Sequence, residues 1–262
     1  MPKVSDITAA IEAKAPLTLQ EPWDNSGLQV GHRDEEVTGV LIALDPTPER
    51  IEEACETGAN MVVSHHPLIF KGLKNITDSN RVQKAVETAV MNRIAVYSSH
   101  TSLDNTENGV SGLVARLFGA KTVDPLIPTF EGAKTGTGAV FSLPEMSPSE
   151  FIETVRQKLH LKAVRFSNPA TGPSSIHKIA VCGGSGGGFI DDAVKAGVDA
   201  YITGDIRYHD FIDYADKILL VDCGHFETEA LCRYLLADII QKEFPNLAVT
   251  ISTQETNPVN YL

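Results

Sequence analysis

Two adjacent histidines at the end of a short apolar run are the strongest candidates for chemistry in this sequence. Residues 61–64 are apolar and rich in valine, and they lead directly into His65, His66 and Pro67. Because proline cannot donate a backbone hydrogen bond, it predicts that the strand ends at the histidines. Ligands of open α/β sheets bind at the carboxyl ends of strands, so the two imidazoles are well placed to contact one. The alternative is a pair of polar loop residues.

Two further stretches concentrate ligand-type side chains. His100 and Asp104 follow one predicted strand, and His225 and Glu229 follow another. His225 and Glu229 are four residues apart near the start of a predicted helix, which places them about one turn apart on the same face. An imidazole and a carboxylate at this spacing can share one metal ion or bind adjacent ions. A helix-capping histidine and a solvated glutamate are the alternative.

The donor types limit the metals and the chemistry. Neutral imidazole nitrogens suit zinc, iron, manganese, cobalt or nickel, whereas carboxylate oxygens disfavour copper(I) and iron–sulfur clusters. Two close divalent ions would lower the pKa of a bridging water and polarise a carbonyl or phosphoryl oxygen. The donor set therefore favours hydrolysis and leaves the identity of the metal open.

Composition excludes several classes of protein. The chain has 262 residues, 42% of them apolar, and a formal net charge of −12. This charge argues against a broad nucleic-acid surface, because such surfaces neutralise phosphates with lysine and arginine. The sequence contains no apolar run of membrane-spanning length and does not begin with a signal-peptide pattern, so we expect a cytoplasmic protein with no membrane partner. The four cysteines form no CxxC pair and are expected to be buried free thiols.

Predicted strands alternate with helices, which is typical of βαβ units and a mainly parallel sheet. Helices are expected over residues 4–14 with Ser5 as N-cap, from Pro48 to a stop at Gly58, over 81–92, and over 227–242. Ser147 and Glu150 predict a capping box at the start of another helix.

An internal repeat is predicted from a gapless match between two segments. Residues 51–66 align with residues 190–205 at a constant offset of 139, so that helix, glycine stop and strand recur in register. The match predicts an α/β protein of two similar lobes with mainly parallel or mixed sheets around a central metal cleft; generic βαβ pattern is the alternative. We expect a first lobe at 1–126 and, at 127–262, a connector and second lobe. Whether the C-terminal strand returns to the first lobe stays open.

Five motifs in this order carry a family resemblance that spans nearly the whole chain: PWDNSGLQVG, SHHP, HTSLD, TGD followed by YHD, and GHFETE. Together they resemble the dinuclear-metal-centre proteins named GTP cyclohydrolase type 2 homologues, a NIF-three-like family. The resemblance implies two divalent ions per chain, two α/β lobes enclosing them, and a toroidal homohexamer built as a trimer of dimers. It also moves Trp23, Asp24 and Asn25 toward the cleft, although chemistry alone favours turn-forming and packing roles for them. The implied metal ligands are His65, His66, Asp104, His225 and Glu229.

Two histidines and a glycine-rich loop fall outside the implied ligand set. His100 could orient Asp104 or meet a substrate, and His209 could donate a proton to one; a structural role is the alternative for each. Gly183–Gly188 lacks the spacing of a dinucleotide-binding or P-loop motif, which favours a flexible tight turn.

The leading functional hypothesis is a di-metal hydrolase of a small, heterocyclic or nucleotide-like substrate, with His100 or His209 handling protons. The main alternative is a metal-binding or iron-delivery protein without turnover. A regulatory interaction protein is the third.

Overall fold

A computed structural model describes residues 1–262, which form ten α-helices and twelve β-strands. The helices are α1 Val4–Glu12, α2 Pro48–Thr57, α3 Arg81–Met91, α4 Thr101–Asp104, α5 Val110–Leu117, α6 Pro148–Lys158, α7 Ile190–Lys195, α8 Tyr208–Asp213, α9 His225–Glu229 and α10 Cys232–Glu243. The strands are β1 Gly27–Val30, β2 Gly39–Ala43, β3 Met61–Ser64, β4 Ala95–Ser98, β5 Ile127–Pro128, β6 Gly136–Thr137, β7 Ala139–Met146, β8 Arg165–Phe166, β9 Ile176–Ser185, β10 Ala200–Gly204, β11 Leu219–Asp222 and β12 Ala248–Ile251.

The chain forms two compact units, each built from two pieces of sequence. The first unit comprises Met1–Leu103 and Cys232–Thr256, and the second comprises Asp104–Leu231 and Asn257–Leu262. The first unit ends earlier than the expected lobe boundary near residue 126, because α5 buries Val114, Ala115 and Phe118 in the same core as β7 and β9.

A five-stranded sheet in the order β1-β4-β3-β2-β12 forms the first unit. β2, β3 and β4 are parallel neighbours, β12 adds in parallel to β2, and β1 is antiparallel to β4. Every residue of β2, β3 and β4 is buried, which is why these strands are continuous apolar runs rather than alternating patterns. The last strand of the chain thus returns to the sheet that carries His65 and His66.

The second unit is built on a sheet in the order β7-β9-β10-β11-β8. β9, β10 and β11 are parallel neighbours, and β7 and β8 are antiparallel edge strands. Both sheets therefore contain three successive parallel strands with an antiparallel strand beside the third. This shared order is consistent with the aligned segments, and the mixed α/β class predicted from the sequence is confirmed.

Helix termini follow local signals in most places. Two predictions are confirmed: α2 begins at Pro48 and ends before Gly58, whose φ is 76°, and Ser147 forms its capping box, with its backbone N–H 2.9 Å from the Glu150 carboxylate. The expected N-cap at Ser5 is wrong, because α1 begins at Val4 and Lys3, two residues before Ser5, occupies the cap position. The expected helix over 227–242 is also wrong, since α9 and α10 are separate helices.

Candidate metal centre

The two adjacent histidines lie directly after β3, as the sequence predicts. Their backbone N–H groups donate to the carbonyls of Ala43 and Leu44 at 3.3 Å and 2.9 Å, so pairing with β2 continues into the histidines. The chain bends at His65 and His66, and the Ser64 hydroxyl stabilises the bend by donating to the His66 carbonyl at 2.8 Å. His65 is fully buried, while the His66 side chain is 20% exposed. The backbone thus places one imidazole inside the unit and one at its surface.

Three imidazole rings of the first unit are held in the same way, through Nδ1. Each Nδ1 meets an oxygen that can only accept a hydrogen bond, so Nδ1 carries the hydrogen and Nε2 is the nitrogen that can bind a metal. The pairs are His65 with the Ser99 carbonyl at 2.9 Å, His66 with Asp45 at 2.8 Å and His100 with Asp24 at 2.8 Å.

His65, His66 and His100 form a compact histidine cluster. One ligand nitrogen from each ring lies within 4.8 Å of the other two, and the ring centroids are 5.1 to 5.6 Å apart. Ions in two-metal sites lie roughly 3.5–4 Å apart, so this spacing suits one ion or two neighbouring ions. His100 therefore belongs to the same cluster as the two expected ligands, although the resemblance does not include it among them.

Asp24 is a buried carboxylate that orients His100. Its side chain is inaccessible to solvent, and it also accepts a hydrogen bond from the backbone N–H of Thr101 at 3.0 Å. Burial by itself disfavours the charged form, but the hydrogen bonds from His100 and Thr101 outweigh it and hold the pKa of Asp24 well below its usual range. Asp24 is therefore ionised at neutral pH and fixes the His100 ring, which goes beyond the turn-forming role that its local sequence suggests.

Asp45, the partner of His66, is fixed by a carboxylate near the C-terminus. Glu255 accepts hydrogen bonds from the backbone N–H groups of Leu44 and Asp45, both at 2.8 Å, and lies 3.1 Å from the Arg233 guanidinium. The Glu255 side chain is only 7% exposed. No sequence signal identifies this contact, because it joins residues 210 positions apart.

His225 and Glu229 lie one turn apart on α9, as their spacing predicts. His225 Nε2 is 2.9 Å from a Glu229 carboxylate oxygen, and His225 Nδ1 is 2.8 Å from Asp205. Ligand atoms about 2.0–2.2 Å from one zinc ion are at most ~4.4 Å apart, so the His225 nitrogen and the Glu229 oxygen can bind the same ion. Asp205 has a φ of 56°, an uncommon conformation for a residue other than glycine, and such positions concentrate at functional sites.

The backbone at Gly184 passes close to the His225–Glu229 pair. Its φ is 66°, and a Cβ on Gly184 would lie 2.0 Å from Glu229 Oε1 and 3.2 Å from His225 Nε2. Only glycine leaves room for the carboxylate there. The sequence favours a simple tight turn over residues 183–188, whereas β9 continues through Ser185 and Gly184 borders the candidate ligands.

The remaining expected carboxylate ligand, Asp104, is the last residue of α4. Burial, together with the negative charges of Asp104 and Glu229, raises the pKa of the Cys182 thiol to about 12. Both carboxylates thus act on the same thiol, which is protonated and unsuited to be a nucleophile at neutral pH. All four cysteines are free, as the sequence predicts, but the expectation that all are buried is wrong for Cys55, which is exposed.

His209 is the remaining histidine proposed for proton transfer. It is exposed on α8, where its ring packs edge-on against Tyr208 at 5.4 Å. It forms no hydrogen bond or ion pair with His225, Glu229 or Asp205. Its proposed proton-donor role stays a prediction.

Sequence comparison identifies the family. The chain matches the model of the Duf34/NIF3 (NGG1p interacting factor 3) family over residues 2–258. The chain belongs to the Duf34/NIF3 family. Among curated relatives, this NIF3-family chain is 34% identical to a GTP cyclohydrolase 1 type 2 homolog of Clostridium acetobutylicum over 266 aligned positions, which cover 99% of the chain and 98% of that protein. It is 32% identical to a protein of the same name from Streptomyces coelicolor, with 98% and 94% covered.

Solved structures share the fold of this NIF3-family chain. Staphylococcus aureus protein SA1388 matches with a TM-score of 0.89 and 29% identity, covering 100% of the chain and 99% of that structure. Reduced HcgD from Methanocaldococcus jannaschii matches with a TM-score of 0.80 and 28% identity, covering 95% and 97%. None of the helices is both long and apolar enough to cross a bilayer.

The residues present fit the metal ions that the family resemblance implies. Four histidines have Nδ1 fixed by a hydrogen-bond acceptor, so their Nε2 atoms are the nitrogens that can bind a metal. Gly184 leaves space for the Glu229 carboxylate beside His225. Imidazole nitrogens and carboxylate oxygens are the donors that divalent first-row ions accept. The His/Glu groups of this chain could therefore bind metal.

Proposed function

We propose that this NIF3-family protein binds two divalent metal ions per chain and uses them for hydrolysis. The observation that carries this proposal is that each of four imidazoles has its Nδ1 held by a hydrogen-bond acceptor, which leaves Nε2 available to a metal. Partners of this kind orient ligands and raise their basicity in metalloproteins. The proposed ligands are His65, His66, Asp104, His225 and Glu229.

Bound ions of this type would lower the pKa of a water and polarise a carbonyl or phosphoryl oxygen of the substrate. The protein's own contribution includes proton transfer by His100. This ring is held by the ionised Asp24, and its side chain is 16% exposed, so a bound molecule could reach it. His209 is a second candidate for proton transfer, and its role is tested by replacement with glutamine.

The substrate we propose is small and either heterocyclic or nucleotide-like. Trp23 and Phe70 form an aromatic wall beside His100, with ring centroids 6.0 Å and 6.3 Å from the imidazole. Flat apolar rings suit a planar substrate, because aromatic pairs prefer stacked or edge-on contacts. The relatives named GTP cyclohydrolase 1 type 2 homolog are compatible with this class of substrate.

Metal delivery without turnover is the second candidate. The observation that favours it is the exposure of His225, whose side chain is 37% accessible. An exposed ligand can be replaced by a ligand of a partner, which a delivery protein needs and an enzyme does not. A regulatory interaction protein would require neither turnover nor metal release.

Metal analysis of protein purified without chelator tests the shared premise. We expect two ions per chain, and less than one would count heavily against the proposal. Replacing Glu229 with Gln should reduce the metal content, whereas Glu243→Gln, a change of the same type at the exposed end of α10, should not. A Glu229→Gln protein that keeps both ions removes this residue from the ligand set.

An activity screen separates the candidate functions. Nucleotides, phosphoesters and cyclic amides cover the bonds that a di-metal hydrolase would cleave. Turnover that needs the metal and decreases in His100→Gln supports the hydrolase. Complete inactivity with rapid exchange of the bound metal supports delivery, and inactivity with slow exchange supports regulation.

The assembly and location follow from the same proposal. A homohexamer made as a trimer of dimers is implied by the family resemblance, and light scattering of the purified protein tests it. A cytoplasmic location agrees with four free cysteines. The net charge of −12 makes a nucleic-acid partner unfavourable.

A further inference from the structure

An open groove lies next to the histidine cluster within the first unit. It encloses about 790 Å³ and is lined by residues from the segment that follows His66 and from the start of α3. Small-molecule sites typically measure ~300–1,000 Å³, so the groove is large enough for a metabolite.

The lining is basic in an otherwise acidic protein. Lys71, Lys74 and Arg81 line the groove and no aspartate or glutamate does, although the chain carries 34 acidic and 22 basic residues. Arg81 is partly neutralised by Glu49 at 2.8 Å. Lys71 and Lys74 are exposed and form no ion pair or hydrogen bond within the chain. Two unneutralised ammonium groups therefore face the same groove.

The groove is continuous with the histidine cluster through Phe70. This ring lines the groove, lies 6.3 Å from the His100 ring and packs against Trp23 at 5.9 Å. Trp23 and Phe70 are 58% and 46% exposed, so a molecule in the groove could contact both rings. The aromatic wall therefore separates a basic region from the candidate metal ligands.

We propose that this groove binds the phosphate groups of a small phosphorylated substrate, with Lys71 and Lys74 as their contacts and Trp23 and Phe70 against its planar part. The inference rests on the proposed function for the reacting end of the molecule. It deepens that proposal by naming a phosphate-bearing planar compound as the substrate class. Lysine is a common phosphate ligand, and two unpaired lysines match a short phosphate chain better than the long backbone of a nucleic acid.

Anion binding is measurable without the metal, so the two proposals can fail separately. Calorimetric titration of the metal-free protein in EDTA with inorganic tripolyphosphate measures the basic region alone. We expect the double variant Lys71→Gln/Lys74→Gln to bind tripolyphosphate about tenfold more weakly or worse, because each lost charge-assisted contact decreases affinity several-fold. The matched control Lys158→Gln/Lys162→Gln removes two exposed charges from the second unit and should stay within about twofold of wild type.

The single tryptophan gives an independent measurement of the planar part. Trp23 is the only tryptophan, so its fluorescence reports directly on the aromatic wall. GTP should change this emission and tripolyphosphate should not. Trp23→Ala should weaken GTP about tenfold and tripolyphosphate less than twofold, because base–aromatic stacking contributes only to the former. The circular dichroism of each variant confirms that it folds.

Several results would overturn the inference. These are no tripolyphosphate binding at millimolar concentration, equal binding by wild type and Lys71→Gln/Lys74→Gln, an equal loss in the Lys158→Gln/Lys162→Gln control, and no Trp23 response to GTP. Tighter binding of a single-stranded oligonucleotide than of GTP, lost with the same two lysines, would also overturn it in favour of a nucleic-acid partner. Failure to find metal in the purified protein would leave these measurements unchanged and would instead refute the proposed function.

Discussion

Replacing Gly184 with alanine tests whether the approach of β9 to the His225–Glu229 pair matters for metal binding. The added Cβ would lie 2.0 Å from Glu229 Oε1 and 2.8 Å from its Cδ, distances that no real contact adopts. Glu229 itself is buried, so the carboxylate cannot simply swing into solvent. We therefore expect the Glu229 side chain to leave its position beside His225, 2.9 Å from Nε2.

Gly184→Ala should lower both the stability of the protein and its metal affinity, the first through backbone conformation and the second through the clash with Glu229. Alanine at a φ of 66° costs about 1–2 kcal/mol, because its Cβ approaches the following carbonyl. Displacement of a residue that holds a ligand in position typically decreases metal affinity about 10–100-fold. We expect Gly184→Ala to show both effects, since the clash is with a proposed ligand itself.

Two other glycines separate these contributions. Gly197 has a φ of 62° with nothing within 4 Å of its added Cβ, and Gly188 has open space and no positive φ. Gly197→Ala should therefore be destabilised by about 1–2 kcal/mol and keep its metal affinity, while Gly188→Ala should keep its metal affinity and lose no stability. Urea unfolding measures stability, and competition with a chromophoric chelator measures affinity. A Gly184→Ala protein that binds metal within twofold of wild type would refute the proposed role of the pair.

Three further predictions address the surroundings of the site. Glu255→Gln should lower the free energy of unfolding by about 1–3 kcal/mol, because one backbone N–H loses its acceptor. It should also weaken metal binding about tenfold, because Asp45 shifts. Unchanged unfolding and chelator titrations would contradict this. The hydroxyl of Thr47 and the guanidinium of Arg81 lower the pKa of Glu49 to about 2 from 4.5, so its stabilisation is present above pH 4.5 and is lost as the pH falls toward 2. Because Glu49 is half exposed, urea unfolding at pH 6 and pH 3 should show that Glu49→Gln removes less than about 1 kcal/mol of this dependence, and an unchanged dependence would contradict the prediction. If the ion is present at ~100 times its Kd, removing it with EDTA should lower the melting temperature by about 5–10 °C, and adding metal back should restore it. An unchanged melting curve would argue against a bound ion.

Local sequence signals predicted the fold where a helix end depends on one or two residues. Pro48 and Gly58 delimit α2, and Ser147 with Glu150 begins α6. The break between α9 and α10 has no such signal, because neither proline nor glycine marks it and the apolar periodicity continues. It falls where the chain passes from the second unit to the first, between Leu231 and Cys232. That passage is a tertiary property, which periodicity does not encode.

Candidate ligands could be predicted by residue type, but the groups that orient them could not. Histidines after strands are visible in the sequence, and a glutamate one helical turn from a histidine is too. Asp24 and Asp45 lie 76 and 21 residues from their histidine partners, and no local spacing connects them. Gly184 is likewise visible as a glycine, but only the packed structure shows that it borders Glu229.

The orienting carboxylates nevertheless follow a rule that sheet topology supplies. Asp45 follows β2 and orients His66, which follows the neighbouring parallel strand β3. Asp205 follows β10 and orients His225, which follows the neighbouring parallel strand β11. In the gapless alignment, His66 corresponds to Asp205, so equivalent strand ends carry a candidate ligand in one unit and the carboxylate that orients a ligand in the other. The strand order alone cannot assign these roles, because parallel strand ends are equivalent positions; the residue type at each end decides them. An acidic residue after the strand that precedes a histidine-bearing strand is therefore the feature that would have predicted both Asp45 and Asp205.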